Sequence, residues 1–188
     1  MVQFLDYKCK TGADTGGLAE EVVKMVNMDF PEAYTTSIGM VKIAIANKEY
    51  EKMSTCILPF CHTVEAENYG GNINMGNAQI GPRCGDYAYG NIEDLFNLPD
   101  LDFTKGRLCE LIKAIEKLKL DGEKVCVNIT GPITILNNLI DPSRIFKAWR
   151  KNPDIMAAII EKIRLQLLIY IEKVIEAGAD IIAFEDPV

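Results

Sequence analysis

Apolar residues recur every three or four positions along the last third of the chain, at Ile159, Ile163, Leu167, Tyr170 and Val174. That spacing places them on one helical face and predicts a long amphipathic helix from Asn152 onward. Asn152-Pro153-Asp154 supplies its start, with an N-cap residue, a proline at the first helical position and an acid in the first turn. Gly178 stops it. Ala179-Asp180-Ile181-Ile182-Ala183-Phe184 follows, a short apolar run of the kind that a parallel strand buried on both faces shows. Beyond it come Glu185 and Asp186, two carboxylates just past the strand's carboxyl end. Helix, glycine, buried strand and acidic tip make one repeat of an α/β barrel or an open α/β sheet. In both architectures chemistry sits at the carboxyl ends of the strands.

The same pattern reads backward through the chain. Thr55–Phe60 and Val125–Ile129 are predicted strands, with a first strand near Val2 to Tyr7. Leu18–Met28 suits a short helix. A helix opens at Pro31, with Met40, Ile43 and Ala44 on one side. Asp94–Leu98 is a brief helical turn, and Thr104–Leu120 a full helix with Leu108, Leu111, Ile112, Ile115 and Leu118 as its buried stripe. Helical excursions at 133–140 and 143–151 follow Gly131-Pro132. Between Val64 and Tyr89 the glycine- and asparagine-rich run around Ile73 and Met75 predicts a hairpin-like insertion on the strand-end face. Helices separate the strands, so the sheet should be parallel with right-handed crossovers. Residues 1–188 are expected to form a single α/β domain of the TIM (β/α)8-barrel type, containing about the first four βα units.

Bulk properties narrow the partners. A chain of 188 residues with 48% hydrophobic and 25% charged residues can bury a substantial core. Its net charge of −7, without a Lys/Arg run, argues against nucleic acid. No apolar run reaches ~18 residues, so no membrane span is expected. The first residues lack a basic, then apolar, signal pattern, and cytoplasm is the expected compartment. Six cysteines, at 9, 56, 61, 84, 109 and 126, show no CxxC spacing and suit reduced thiols.

If the strands align as predicted, their loops converge on one mouth. Glu65, Glu67 and Asp186 are the candidate catalytic groups, because carboxylates facing one cleft can serve acid–base chemistry, bind a cation or ligate a metal. His62, Asn128, Thr130 and Glu185 are the candidate substrate contacts. The bland alternatives are that Glu65 and Glu67 cap a turn in solvent and that Asn128 bonds backbone at a strand end. His62 is the single histidine. Its neighbour Cys61 should point to the opposite face if both lie in a strand, which disfavours a Cys–His dyad. Cys61 or His62 with Cys84 and an acid would make a zinc set, but no ligand spacing supports one, and no metal ligand is assigned.

Several of these segments together carry a resemblance. Pro59-Phe60-Cys61-His62-Thr63-Val64-Glu65-Ala66-Glu67 with Tyr69-Gly70 resembles the second-strand segment of the methylcobamide methyltransferases, in the uroporphyrinogen decarboxylase superfamily. Phe30–Tyr34 resembles that family's entry to its first barrel helix, and Gly131–Thr134 the loop after its third strand. Glu176–Ile182, running into Asp186-Pro187, resembles its fourth strand. The similarity spans about residues 28–188. It implies a (β/α)8 barrel that takes a methyl group from a corrinoid protein to a thiol such as coenzyme M, or to tetrahydrofolate. It also implies a zinc-bound thiolate in the complete thiol-alkylating enzymes, whose ligands lie in a second half of the barrel. The porphyrinogen decarboxylases carry an arginine-rich N-terminal motif and an Asp after the second strand. Here residues 1–40 contain no arginine and Cys61 stands at the Asp position, so a lyase acting on a tetrapyrrole is the lesser alternative. A third reading is a non-catalytic barrel portion that acts as a binding or assembly module. A lone half-barrel would leave its fourth strand an open edge, which implies either a larger parent protein or association of two halves, including two copies of this chain.

Overall fold

The computed structural model describes residues 17–186. The strand expected near Val2 to Tyr7, and Cys9 with it, lie outside the described residues. A three-stranded parallel sheet is the frame: β1 (Cys56–Leu58), β4 (Val125–Thr130) and β5 (Ile181–Glu185), in the order β1-β4-β5. Its register pairs Leu58 with Val127 and Thr130 with Glu185. All three carboxyl ends therefore meet at one rim. Asp180 sets that register from below, accepting from the Val125 amide at 2.9 Å and from Lys119 Nζ at 2.7 Å.

Successive strand residues point to opposite faces. Cys56, Leu58, Val125, Val127 and Ile129 are fully buried against the helices. Those helices are α3 (Ser37–Tyr50), α5 (Gly106–Leu120) and α8 (Pro153–Glu176), which pack on the same side of the sheet. The stripe expected on α8 is the stripe observed, with Ile159, Ile163, Leu167, Tyr170 and Val174 all buried. Asn152 holds the N-cap position, but its side chain makes no capping bond. On α5, Leu108, Leu111, Ile115 and Leu118 are buried and Ile112 is half-buried, with Ala114 completing the face.

The remaining elements are shorter. α1 (Glu20–Val26) and α2 (Glu32–Thr35) form a second core with Ile43 and Ala46 of α3. The helix expected from Pro31 is in fact two, because Thr36 is extended and caps α3 through the Gly39 amide. Gly39 is required there, since a Cβ would lie 2.5 Å from Ala33 backbone atoms. The insertion expected at 64–89 opens with a helix, α4 (Val64–Asn68). A small antiparallel pair follows, β2 (Ile73–Asn74) with β3 (Arg83–Cys84). A 3-10 turn spans Ile92–Asn97. After β4 come α6 (Pro132–Asn137) and α7 (Pro142–Lys151).

The fourth expected strand is the open edge that a lone half-barrel implies. β5 is not buried on both faces: Ile181 is 39% and Phe184 57% exposed. Among the described residues β5 pairs only with β4, so it is an edge strand and its apolar side chains lack a covering layer.

Candidate functional site

The face of the sheet turned away from the helices carries Ile57, Cys126, Asn128, Ile181 and Ala183 by strand alternation. At its carboxyl rim, Asn128, His62 and Glu185 line one cleft with Pro59, Phe60 and Cys61. His62 Nδ1 lies 3.5 Å from Glu185 Oε2, and both side chains are partly open to solvent. Asn138 Nδ2 donates to the His62 carbonyl at 3.1 Å and so ties the loop after β1 to α6. An imidazole facing a carboxylate beside an amide is a polar, hydrogen-bonding rim above an apolar floor. It can orient a small ligand and hold or move a proton at His62.

The other expected site residues are committed elsewhere. Glu65 is fully buried; its Oε1 accepts the Thr130 amide at 2.9 Å, joining α4 to the end of β4. Burial raises its carboxyl above the usual range, against the pull of the Thr130 bonds. Its Oε2 has no hydrogen-bond partner among the described residues. Thr130 is buried with it. Glu67 takes the guanidinium of Arg107, and neither glutamate stands free in solvent as a turn cap. Asp186 binds the start of α6: its Oδ1 accepts from the Thr134 amide at 2.8 Å and from the Thr134 hydroxyl at 2.9 Å. A Cβ at Gly131 would lie 2.4 Å from the Asp186 side chain, so glycine makes that approach possible.

Arg107 is the residue that sequence reading passed over. It is 4% exposed, and it donates to Thr63 Oγ1 at 2.9 Å and to Cys61 Sγ at 3.4 Å as well as to Glu67. The signal was present: a cation in the first turn of α5 opposes the helix dipole, so another charge must hold it. Thr63 Oγ1 also donates to Cys61 Sγ at 3.2 Å, which gives that sulfur two donors. Cys61 and His62 lie in the bend beyond β1 rather than in the strand, and both border the same cleft instead of opposite faces. Cys56, by contrast, is buried, and its thiol is pushed up to about 11 by burial and by Glu123.

Zinc does not fit the described residues. No group of three or more His, Cys, Asp or Glu among them is placed to hold a metal ion. No described helix is long and apolar enough to cross a membrane.

Comparison with known proteins then supplies a family. Methylcobamide:CoM methyltransferase MtaA of Methanosarcina barkeri is 31% identical over 174 residues, 89% of this chain and 50% of the relative. Methylcobamide:CoM methyltransferase MtbA of Methanosarcina mazei is 27% identical, over 84% of this chain and 47% of its own length. Among solved structures, a methyltransferase from Methanosarcina mazei superposes with a TM-score of 0.79 at 28% identity, over 89% of this chain and 51% of that one. The chain thus spans about half the length of the curated relatives it matches. The profile of the uroporphyrinogen decarboxylase (URO-D) family matches residues 15–188, and the chain belongs to that family.

Proposed function

We propose that this chain is the amino-terminal part of a corrinoid-dependent methyltransferase, a (β/α)8 barrel whose first βα units are those described above. The methyl donor is a methyl-corrinoid carried by a partner protein, and the acceptor is a small thiol of the coenzyme M type. The observation that carries this reading is the 31% identity to a methylcobamide:CoM methyltransferase along 89% of the chain.

In that reaction the methyl carbon passes from cobalt to sulfur. The cobalt–carbon bond breaks with its electron pair left on the corrinoid, the sulfur–carbon bond forms, and the thiol proton departs. His62, Asn128 and Glu185 contact the acceptor at the rim; His62 receives that proton, and the 3.5 Å separation of its Nδ1 from Glu185 Oε2 supports this role. Glu65, Glu67 and Asp186 act one step back, as positioning residues for β4, α5 and α6. In the complete family enzyme zinc would supply thiolate activation, and among the described residues no group of three or more His, Cys, Asp or Glu is placed to hold it.

Porphyrinogen decarboxylation fits less well. A substrate bearing several carboxylates needs cations, whereas the cleft beside β4 is lined by Glu51 and Glu185 and by no Lys or Arg among the described residues. The test is methylation of coenzyme M by the full-length protein with a methyl-corrinoid donor. Asn128→Ala should raise KM for the thiol ~10-fold, the loss of one polar contact, and change kcat less. An unchanged KM removes Asn128 from the acceptor site.

A further inference from the structure

α7 presents an unusual surface for a chain of net charge −7. Its sequence, Pro142–Lys151, holds four cations (Arg144, Lys147, Arg150 and Lys151) and the chain's single tryptophan, Trp149. Only Ile145 of this helix is fully buried. Phe146 is 54% and Trp149 43% exposed. Lys48, Arg107, Lys119, Arg164 and Lys173 make ion pairs, whereas Lys42, Lys52, Arg83, Lys117, Lys124 and Lys162 make none within 4.0 Å among the described residues but are scattered along the chain. None of the four α7 cations makes one within 4.0 Å among the described residues, although Asp141, whose carboxyl is lowered chiefly by its bond from Ser143, also feels the charge of Arg144. Acids also border this surface: Asp141 at the N-cap, Glu93 in the same cleft, and Asp154 in the first turn of α8. Arg144, Lys147 and Lys151 line one side of a cleft of about 250 Å³ with Asn91 and Asn152.

The position of this surface gives it meaning. α6 begins two residues after β4 ends, and α7 packs on α6 and on α8. α8 has 24 residues, ~36 Å of helix, and returns the chain to the amino end of β5. α7 therefore lies toward the carboxyl-end rim, the side on which His62 and Glu185 stand. A protein that reaches over that rim on the α6 side would meet α7.

We propose that α7 is the docking element for the corrinoid-carrying protein, which meets the four cations with an acidic surface and covers Phe146 and Trp149. This inference rests on the methyl-transfer reading above. Four cations clustered on one ten-residue helix of an acidic chain steer an acidic partner toward that helix. Exposed Trp and Arg side by side are the residue types that anchor protein contacts, and a polar rim around them matches interface anatomy.

The experiment titrates the protein with a purified methylated corrinoid protein that serves one of the Methanosarcina relatives. Calorimetry and Trp149 emission are read together. Arg144→Glu with Lys147→Glu should weaken binding by ~10-fold or more, as should raising salt from about 50 to about 300 mM. Arg144 lies in the first turn of α7, where glutamate suits the helix dipole, and Lys147 is exposed, so the fold should survive both substitutions. Lys42→Glu with Lys117→Glu, which makes the same charge change on α3 and α5, should leave binding unchanged. Equal affinity for all three proteins overturns the docking surface. So does a Trp149 shift that depends on the protein's own concentration without partner, which would place a second copy there. Methylation of the thiol from the corrinoid protein, unaffected by the α7 variant, overturns docking but keeps the methyl-transfer reading. Absence of methylation from any corrinoid donor overturns both.

Discussion

Glu65 shows how a residue can be found for one reason and matter for another. Sequence placed it after a strand, and there it is, but as a buried carboxyl bridging α4 and β4 rather than an open acid. No one-dimensional pattern distinguishes these, because burial depends on α4 folding back over the end of β4. Its folded pKa is raised, so the folded state keeps a proton that the unfolded chain releases above its ordinary value near ~4.3. That contribution to stability is whole below the unfolded value and is lost as pH rises through the raised one. Glu65→Gln should therefore remove a downward slope in unfolding free energy with rising pH. At pH 8 the variant should equal wild type or exceed it by up to about 2 kcal/mol, since the amide keeps an acceptor for Thr130 without a buried charge. Urea unfolding at pH 5 and pH 8 reads this, and a variant that is less stable at both contradicts it. Glu67 differs: Glu67→Gln leaves the buried Arg107 guanidinium uncompensated and should cost about 1–3 kcal/mol, seen as a lower urea midpoint, with an unaltered midpoint counting against the pair.

Elements were legible where the apolar period was long. The α8 stripe and the α5 stripe were read almost residue by residue, because each buries one face of a helix against a sheet. Elements held by contacts distant in sequence were not legible. The break at Thr36 and the helix α4 inside the expected hairpin are both too short to leave a period. The union of α6 with β5 belongs to the same class: Asp186 caps a helix that starts more than fifty residues earlier. Asp186→Ala should cost about 1–2 kcal/mol, the value of a helix cap. Gly131→Ala should cost at least as much, by forcing the same carboxylate away. The two together should cost less than their sum, because they remove one interaction. Thermal unfolding of the three variants measures this, and strict additivity would separate the two residues.

At the scale of the whole molecule, the open edge expected of a lone half-barrel is the feature with the largest consequence. The apolar residues of β5 suit a strand buried on both faces, and Ile181 and Phe184 are exposed at an edge that no other described strand pairs with. Leu165, Leu168, Ile169 and Ile175 on the outer side of α8 are exposed as well. Sequence encodes what a strand requires, not which neighbour supplies it. An apolar edge of this kind recruits another strand. The 188-residue chain alone should therefore run above its monomer mass of 20.9 kDa in light scattering, and Phe184→Lys should lower that mass. A monodisperse monomer would show that the edge is tolerated in water.

The central claim is a reaction, and turnover by the full-length protein tests it most directly. The protein is offered a ¹⁴C-methyl-corrinoid donor with coenzyme M, and in a parallel reaction uroporphyrinogen alone. Label recovered in the methyl thioether, with the porphyrinogen unchanged, is the predicted result. Carboxyl loss from the porphyrinogen, with the label still on the corrinoid, would contradict the account.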